Sequence, residues 1–323
     1  MLRSHLLLLV LASVNFSIIF VTVKAEEKQT NKIEHFRSRL SDVYIVRNFL
    51  PIELAKQWQL HLKKIWNNTT HAINDDKGQV CSTEKQDCSI DETSTFYYAT
   101  NNKGTQSTIN AKFRSLEMIK ERNAMAKSIY NSNRFSYAKW ELHPSNPLVK
   151  EIDAFMSSQT TRNKVQNITA DRHPGLKFAS ELSDIFVTLY STGDFLSPHD
   201  DGVAGTWAFV LSLTDGDGEW DLEKYGGGLR FQCETDNARQ AVSWCKSFAP
   251  TFNTAIFIQT RVVVPDHSRR VVGPGPFHEV LAVERAAEDE GFFRFGFTGW
   301  YTDEGDKMNE LERRERDKMR ARD

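Results

Sequence analysis

Apolar residues recur along this chain in two rhythms, and the rhythm changes near Asp184. Upstream it is helical. Pro51 suits the first turn of a helix, and Ile52, Ala55, Trp58, Leu62 and Ile65 follow at spacings of three and four, which places them on one face. Ile109 to Tyr130, with Phe113, Leu116, Ile119 and Met125 on the apolar side, and Pro147 to Met156 predict two further helices. Val43 to Val46 is a short β-prone run, whereas Asn67 to Ser107 is polar and irregular and reads as a surface excursion. Downstream, Ile185 to Tyr190, Trp207 to Leu213, Gly228 to Gln232, Ala255 to Gln259, Phe277 to Val283 and Phe292 to Tyr301 are short and rich in aromatic or β-branched residues. Asp215-Gly216-Asp217-Gly218, Gly226-Gly227-Gly228 and Gly273-Pro274-Gly275-Pro276 punctuate them. Short strands at such spacing predict a β-sandwich or jelly roll. Helices before strands make the class α+β, with the N-terminal helices buttressing one sheet.

The first residues carry a different pattern. Arg3 precedes an apolar run from Leu6 to Val23, and Val23-Lys24-Ala25 resembles a small-residue cleavage site, which predicts a signal peptide removed after Ala25. About 20 apolar residues can also span a bilayer; an uncleaved type II anchor is the alternative, and only then would the protein be tied to a membrane. Either route delivers the folded part to the endoplasmic reticulum lumen or the cell exterior. The sequons at Asn67, Asn68 and Asn167 agree with that compartment. So do the locally spaced pairs Cys81/Cys88 and Cys233/Cys245, which in an oxidising lumen would be disulfides, although four cysteines permit three connectivities. Neither pair has zinc-type C-x-x-C spacing. With 41 basic against 43 acidic residues and a formal net charge of −2, the chain lacks the global basic field of a nucleic-acid binder, and no nucleic acid is expected as a partner. The 40% hydrophobic content and 21 phenylalanines predict an ordered globular protein.

The candidate chemistry starts at His199-Asp200-Asp201. On an extended segment, side chains repeat with period 2, so His199 and Asp201 face one way and Asp200 the other. Two histidines and one carboxylate with open positions form the ligand set of non-haem Fe(II) oxygenases. The second histidine must come from downstream. His278 lies in the β-prone run Phe277-His278-Glu279-Val280, and His267 lies in a charged loop. A strand holds a ligand more rigidly, so His278 is the choice and His267 the alternative. Arg294 alternates with Phe293, Phe295 and Phe297. A charge inside so apolar a strand is costly unless paired; its partner is either a bound carboxylate, which its planar fork suits, or an internal acidic side chain.

These residues form an ordered set. Tyr190, Gly193 and Asp194-Phe195-Leu196 come first, followed by His199-Asp200-Asp201 and Gly226-Gly227-Gly228-Leu229-Arg230-Phe231. Phe277-His278-Glu279-Val280 and Arg294-Phe295-Gly296-Phe297-Thr298-Gly299-Trp300-Tyr301 complete it. The set resembles the prolyl-hydroxylase-like branch of the 2-oxoglutarate/Fe(II)-dependent oxygenases, and most of all its ribosomal-protein prolyl hydroxylase subgroup. The resemblance spans roughly Val43 to Tyr301 and is specific from Asp184 onward. It implies a double-stranded β-helix, with Fe(II) held by His199, Asp201 and His278. It also implies that Arg294 and Tyr190 hold the distal carboxylate of 2-oxoglutarate, with O2 as second cosubstrate and ascorbate as reductant. The implied reaction hydroxylates an aliphatic C–H, at a prolyl residue of a protein or peptide substrate, and converts 2-oxoglutarate to succinate and CO2. The carboxylate at Asp201 argues against a halogenase, which needs that position open.

Two insertions, Arg261 to Gly275 and Glu284 to Gly291, and the secretory leader depart from that subgroup and bear on the substrate, because loops set substrate choice. A lysyl, lipid or small-metabolite oxygenase is one rival reading; a catalytically silent jelly-roll binding domain is another, although all five expected positions are suitably occupied. The expected organisation is a leader over 1–25 and a helical buttressing region over 26–180. A dioxygenase core over 181–302 and a charged tail over 303–323 follow.

Overall fold

The computed structural model of the protein describes residues 32–38, 41–74, 96–100, 123–124, 126–128, 131, 135–201, 204–214, 220–233, 243–263 and 271–304. The leader, Cys81 and Cys88, most of the helix expected over 109–130, His267 and the charged tail lie outside these residues. No helix among the described residues is long and apolar enough to cross a membrane.

Among the described residues, fourteen strands carry the architecture: β1 (Ile33–Ser38), β2 (Ser41–Arg47), β3 (Phe96–Thr100), β4 (Tyr137–Leu142), β5 (Ile185–Tyr190), β6 (Phe195–His199), β7 (Trp207–Ser212), β8 (Leu229–Cys233), β9 (Ser243–Phe248), β10 (Thr254–Gln259), β11 (Arg261–Val263), β12 (Val271–Pro274), β13 (His278–Val280) and β14 (Arg294–Tyr301). Eleven of them follow the order β1-β2-β10-β7-β14-β5-β4-β6-β13-β8-β9, β3 adds to β4, and β11 pairs with β12 separately. Every pairing between these strands is antiparallel. The sheet curls until its ends meet. Phe36 of β1 packs 5.4 Å from Phe231 of β8 and 5.3 Å from Phe248 of β9, and the Ser38 hydroxyl donates to the Gln232 carbonyl. A curled antiparallel sheet of this kind fits the jelly roll expected from the sequence.

The curl divides the core in two. Its concave side buries Val43, Ile45, Tyr190, Phe231, Ile256, Val280 and Trp300 among others. Its convex side packs with α1 (Ile52–Asn74), α2 (Pro147–Ser157) and α3 (Gln159–Thr169). Trp58 of α1 meets Phe155 of α2 at 5.5 Å and Phe297 of β14 at 5.8 Å, edge to face, a favourable geometry for aromatic pairs. The Asn146 side chain accepts from the Leu148 N–H and Pro147 follows it, so α2 starts where capping chemistry places a start.

Regular structure occupies part of the expected excursion over 67–107. α1 continues to Asn74, and Thr69 ties it to β3: its hydroxyl donates to the Ile65 carbonyl and accepts the Phe96 N–H at 3.1 Å. Of the insertions, 284–291 contains the short helix α5 (Arg285–Asp289), and β11 and β12 form a hairpin at the two ends of 261–275. α4 (Leu222–Tyr225) precedes the Gly226-Gly227 turn.

Candidate metal and cosubstrate site

His199 ends β6, Asp201 lies two residues beyond it, and His278 begins β13 directly opposite His199 in register. One ligand atom from each of these three residues lies within 4.8 Å of the others. His199 Nε2 is 3.5 Å from one Asp201 carboxylate oxygen and His278 Nε2 is 3.4 Å from the other. Each ring is oriented from behind. His199 Nδ1 is 2.9 Å from the Ser197 carbonyl, and His278 Nδ1 is 2.9 Å from the Pro276 carbonyl. A carbonyl only accepts, so both Nδ1 atoms carry the proton and both Nε2 lone pairs point toward Asp201. That tautomer is the one a metal needs, and backbone carbonyls behind ligating imidazoles are the usual orienting groups. Burial alone would raise Asp201, but in the metal-free cluster the charge that His278 and His199 carry when Nε2 is also protonated outweighs it and holds the carboxyl well below the usual carboxylate range; a bound cation would take the place of those protons. Asp200 is not part of the cluster.

Arg294 opens β14 and pairs across from Tyr190, the last residue of β5. Its guanidinium carbon sits 4.3 Å from the Tyr190 ring centroid, a cation–π contact. The side chain is 3% exposed, its Nε has no hydrogen-bond partner, and it makes no ion pair among the described residues. The internal acidic partner weighed from the sequence is not found among the described residues. Burial lowers the guanidinium from its ordinary value. Two steps beyond Gly296↔Ser212 the β14–β7 register leads to Thr214, whose buried hydroxyl likewise has no partner. The glycine turn makes room for this arginine. Gly227 has φ +65°, and a Cβ there would come within 3.1 Å of Arg294 Cδ; a Cβ at Gly226 would come within 2.1 Å of the Ala282 carbonyl oxygen.

A donor set of two imidazoles and a carboxylate fits Fe(II). A buried cation with an orphaned donor, beside an orphaned hydroxyl, fits the carboxylate of an organic acid.

Sequence reasoning assigned no role to four further residues. Thr214 gave no local signal. Asp194 is 1% exposed and accepts from the Ser191 N–H at 2.9 Å, the Ser191 hydroxyl at 2.9 Å, Tyr98 at 2.8 Å and Asn123 at 3.2 Å. It pins the turn between Tyr190 and β6; burial pushes it up to about 6 against those four bonds. On β4, Lys139 and Glu141 form a buried ion pair at 2.7 Å.

Residues 185–302, which include Tyr190, the triad and Arg294, match the 2OG-Fe(II) oxygenase superfamily. Over this region the chain is similar to that superfamily, whose members are 2-oxoglutarate- and Fe(II)-dependent oxygenases. No curated protein sequence matches the chain. Among solved structures, the chain is similar to a prolyl-4-hydroxylase of Pseudomonas putida, with 16% identity, a TM-score of 0.30 and coverage of 66% of this chain and 96% of the other. It is similar also to a prolyl hydroxylase of Trichoplax adhaerens in complex with a peptide fragment of the hypoxia inducible factor oxygen degradation domain, with 13% identity, a TM-score of 0.33 and coverage of 82% and 96%. A third is the viral collagen prolyl hydroxylase of Paramecium bursaria Chlorella virus-1 in its 2OG complex, with 14% identity, a TM-score of 0.31 and coverage of 64% and 95%.

Proposed function

We propose that the protein hydroxylates a prolyl residue of a protein or peptide in the secretory pathway, with Fe(II), O2 and 2-oxoglutarate, ascorbate serving as reductant. The observation that supports this best is the pairing of a three-donor cluster with a buried arginine that has no counter-ion among the described residues. The prolyl substrate rests on the ordered motif set from Tyr190 to Tyr301. His199, Asp201 and His278 would hold the iron; Arg294, Tyr190 and Thr214 would hold the far carboxylate of 2-oxoglutarate. When bound, the metal and cosubstrate supply the oxidising chemistry of C–H hydroxylation, with succinate and CO2 as the other products.

The chain's own residues do the rest. The Ser197 and Pro276 carbonyls keep both imidazoles in the ligating tautomer. Arg294 neutralises the distal carboxylate in a site where Tyr190, Val283 and Trp220 exclude water, which strengthens that attraction. Asp194 fixes the spacing between the cosubstrate strand and the metal strand. In this reading residues 1–25 are a leader or anchor, α1 to α3 buttress the convex face, and 181–302 is the oxygenase core. Asn67 and Asn167 carry glycans and the two local cysteine pairs are disulfides.

The test is succinate formation from 2-oxoglutarate by the purified protein with Fe(II) and ascorbate, with proline-containing peptides scored by mass spectrometry for gain of one oxygen. Succinate no higher than in a His199→Ala control would sink the oxygenase reading. Oxygen placed on lysine instead would correct the substrate alone.

A further inference from the structure

β4 is the strand on which the two halves of the site converge. It pairs with β6, the metal strand, at Tyr137↔Leu196 and Ala138↔Phe195. It pairs with β5, the Tyr190 strand, at Trp140↔Leu189 and Glu141↔Thr188. Lys139 sits at the changeover, and one step from Trp140↔Leu189 sets it across from Tyr190. Side chains alternate along a strand. Trp140 packs in the convex core, 5.0 Å from both Trp66 and Tyr98, so Tyr137, Lys139 and Glu141 share the concave face. Phe135, just before β4, lies 5.5 Å from the His199 ring. The inward side of β4 is thus a wall running from a metal-cluster histidine to the predicted cosubstrate tyrosine.

The charge in that wall is fixed. Lys139 Nζ is 2.7 Å from one Glu141 oxygen, and the Tyr97 hydroxyl donates to the other at 2.7 Å. The ammonium lies 5.0 Å from the Phe186 ring centroid and 5.2 Å from that of Tyr137. The lysine side chain is only 14% exposed. Burial would lower it, but Glu141 and Tyr190 outweigh burial, and the ammonium stays charged. A buried ion pair is a poor stabiliser compared with apolar residues of the same size, so stability gives little reason for this one.

We propose that Lys139 is a positioning residue for the cosubstrate, acting through Tyr190; this rests on the 2-oxoglutarate reading above. Tyr190 has Arg294 against its ring on the β14 side and Lys139 across from it on the β4 side. A fixed ammonium on the neighbouring strand favours the phenol orientation that turns the oxygen toward that charge and the O–H hydrogen away from it, toward an incoming carboxylate. Lys139 therefore sets the direction in which Tyr190 donates.

The experiment is calorimetric titration of 2-oxoglutarate into the Mn(II)-loaded full chain, in which no turnover is needed. Lys139→Met should weaken binding about tenfold, the scale of a lost charge-assisted contact, and Lys139→Arg should stay within about twofold of wild type. In a Tyr190→Phe background Lys139→Met should add nothing, because the group it orients is gone. A merely structural lysine would weaken binding equally in both backgrounds, and that result overturns the proposal, as does unchanged affinity in Lys139→Met. If Lys139→Met does not fold, Lys139→Gln is read by the same criteria. Wild-type protein that binds Mn(II) but no 2-oxoglutarate would sink the function above together with this inference. Wild-type binding with failed Lys139 arms would sink this inference alone.

Discussion

Replacing Arg294 by Met should make the unliganded protein more stable while removing its response to 2-oxoglutarate. The guanidinium is 3% exposed, its Nε has no partner, and no carboxylate answers it among the described residues. An unsatisfied buried donor costs about 1–3 kcal/mol, more for a charged group. Against this, the contact with Tyr190 at 4.3 Å contributes about 2 kcal/mol when desolvated. A buried charge also carries a desolvation penalty of several kcal/mol, and Met fills much of the same volume. The balance is a net gain of about 1–3 kcal/mol, or roughly 1.5–5 °C in Tm for a protein of this size. Saturating ligand acts in the opposite sense: 2-oxoglutarate at about 100 times its Kd should stabilise wild type by about 2.7 kcal/mol and the variant by nothing. Paired thermal melts of the Mn(II) forms, with and without 2-oxoglutarate, read both halves. A variant less stable than wild type without ligand would show that Arg294 is a structural residue and refute the reasoning.

Three further outcomes follow from the geometry. His278→Ala should abolish tight Mn(II) binding and His267→Ala should leave it intact, as read by calorimetry; the reverse would move the ligand to the loop histidine. Asp194 is held at about 6, above its ordinary 3.8, so the folded protein keeps a proton that the unfolded chain has released. Its contribution to stability, about 3 kcal/mol, is lost as pH rises from about 4 to about 6. Denaturant melts across that window should show the falling slope in wild type and not in Asp194→Asn, and equal slopes would refute it. Gly227→Ala places a Cβ at φ +65° and 3.1 Å from Arg294 Cδ; it should cost about 1–3 kcal/mol of stability and weaken 2-oxoglutarate binding, and an unchanged Tm would count against the strained turn.

How much was legible in the sequence depended on whether a signal was local. β5, β7, β10 and β14 are dense in aromatic and β-branched residues and were read within a residue or two. β1 (IEHFRS) and β4 (YAKWEL) were not read, because charged residues break their alternation and their burial comes from distant partners. α3 escaped for the opposite reason: its polar sequence QTTRNKVQNIT buries only Thr161, Val165 and Thr169, and its start depends on the Ser158 cap. His199, Asp201, His278, Tyr190 and Arg294 could be named in advance because each lies in a motif with its own spacing or texture. Lys139 and Thr214 could not. Their meaning exists only once β4 is placed beside β5 and β7 beside β14, a fact of long-range register that no window of sequence contains.

β14 has a consequence for inherited variation in this protein. Its odd-numbered residues Phe295, Phe297 and Tyr301 lie in the convex core, and its even-numbered residues begin with Arg294 and end with Trp300 on the concave side. Position along these eight codons therefore predicts phenotype. A missense change at Phe295, Phe297 or Tyr301, or at the core residue Trp300, depletes the protein, which a blot of cell extract would show; one at Arg294 leaves normal amounts of a protein that has lost its response to 2-oxoglutarate.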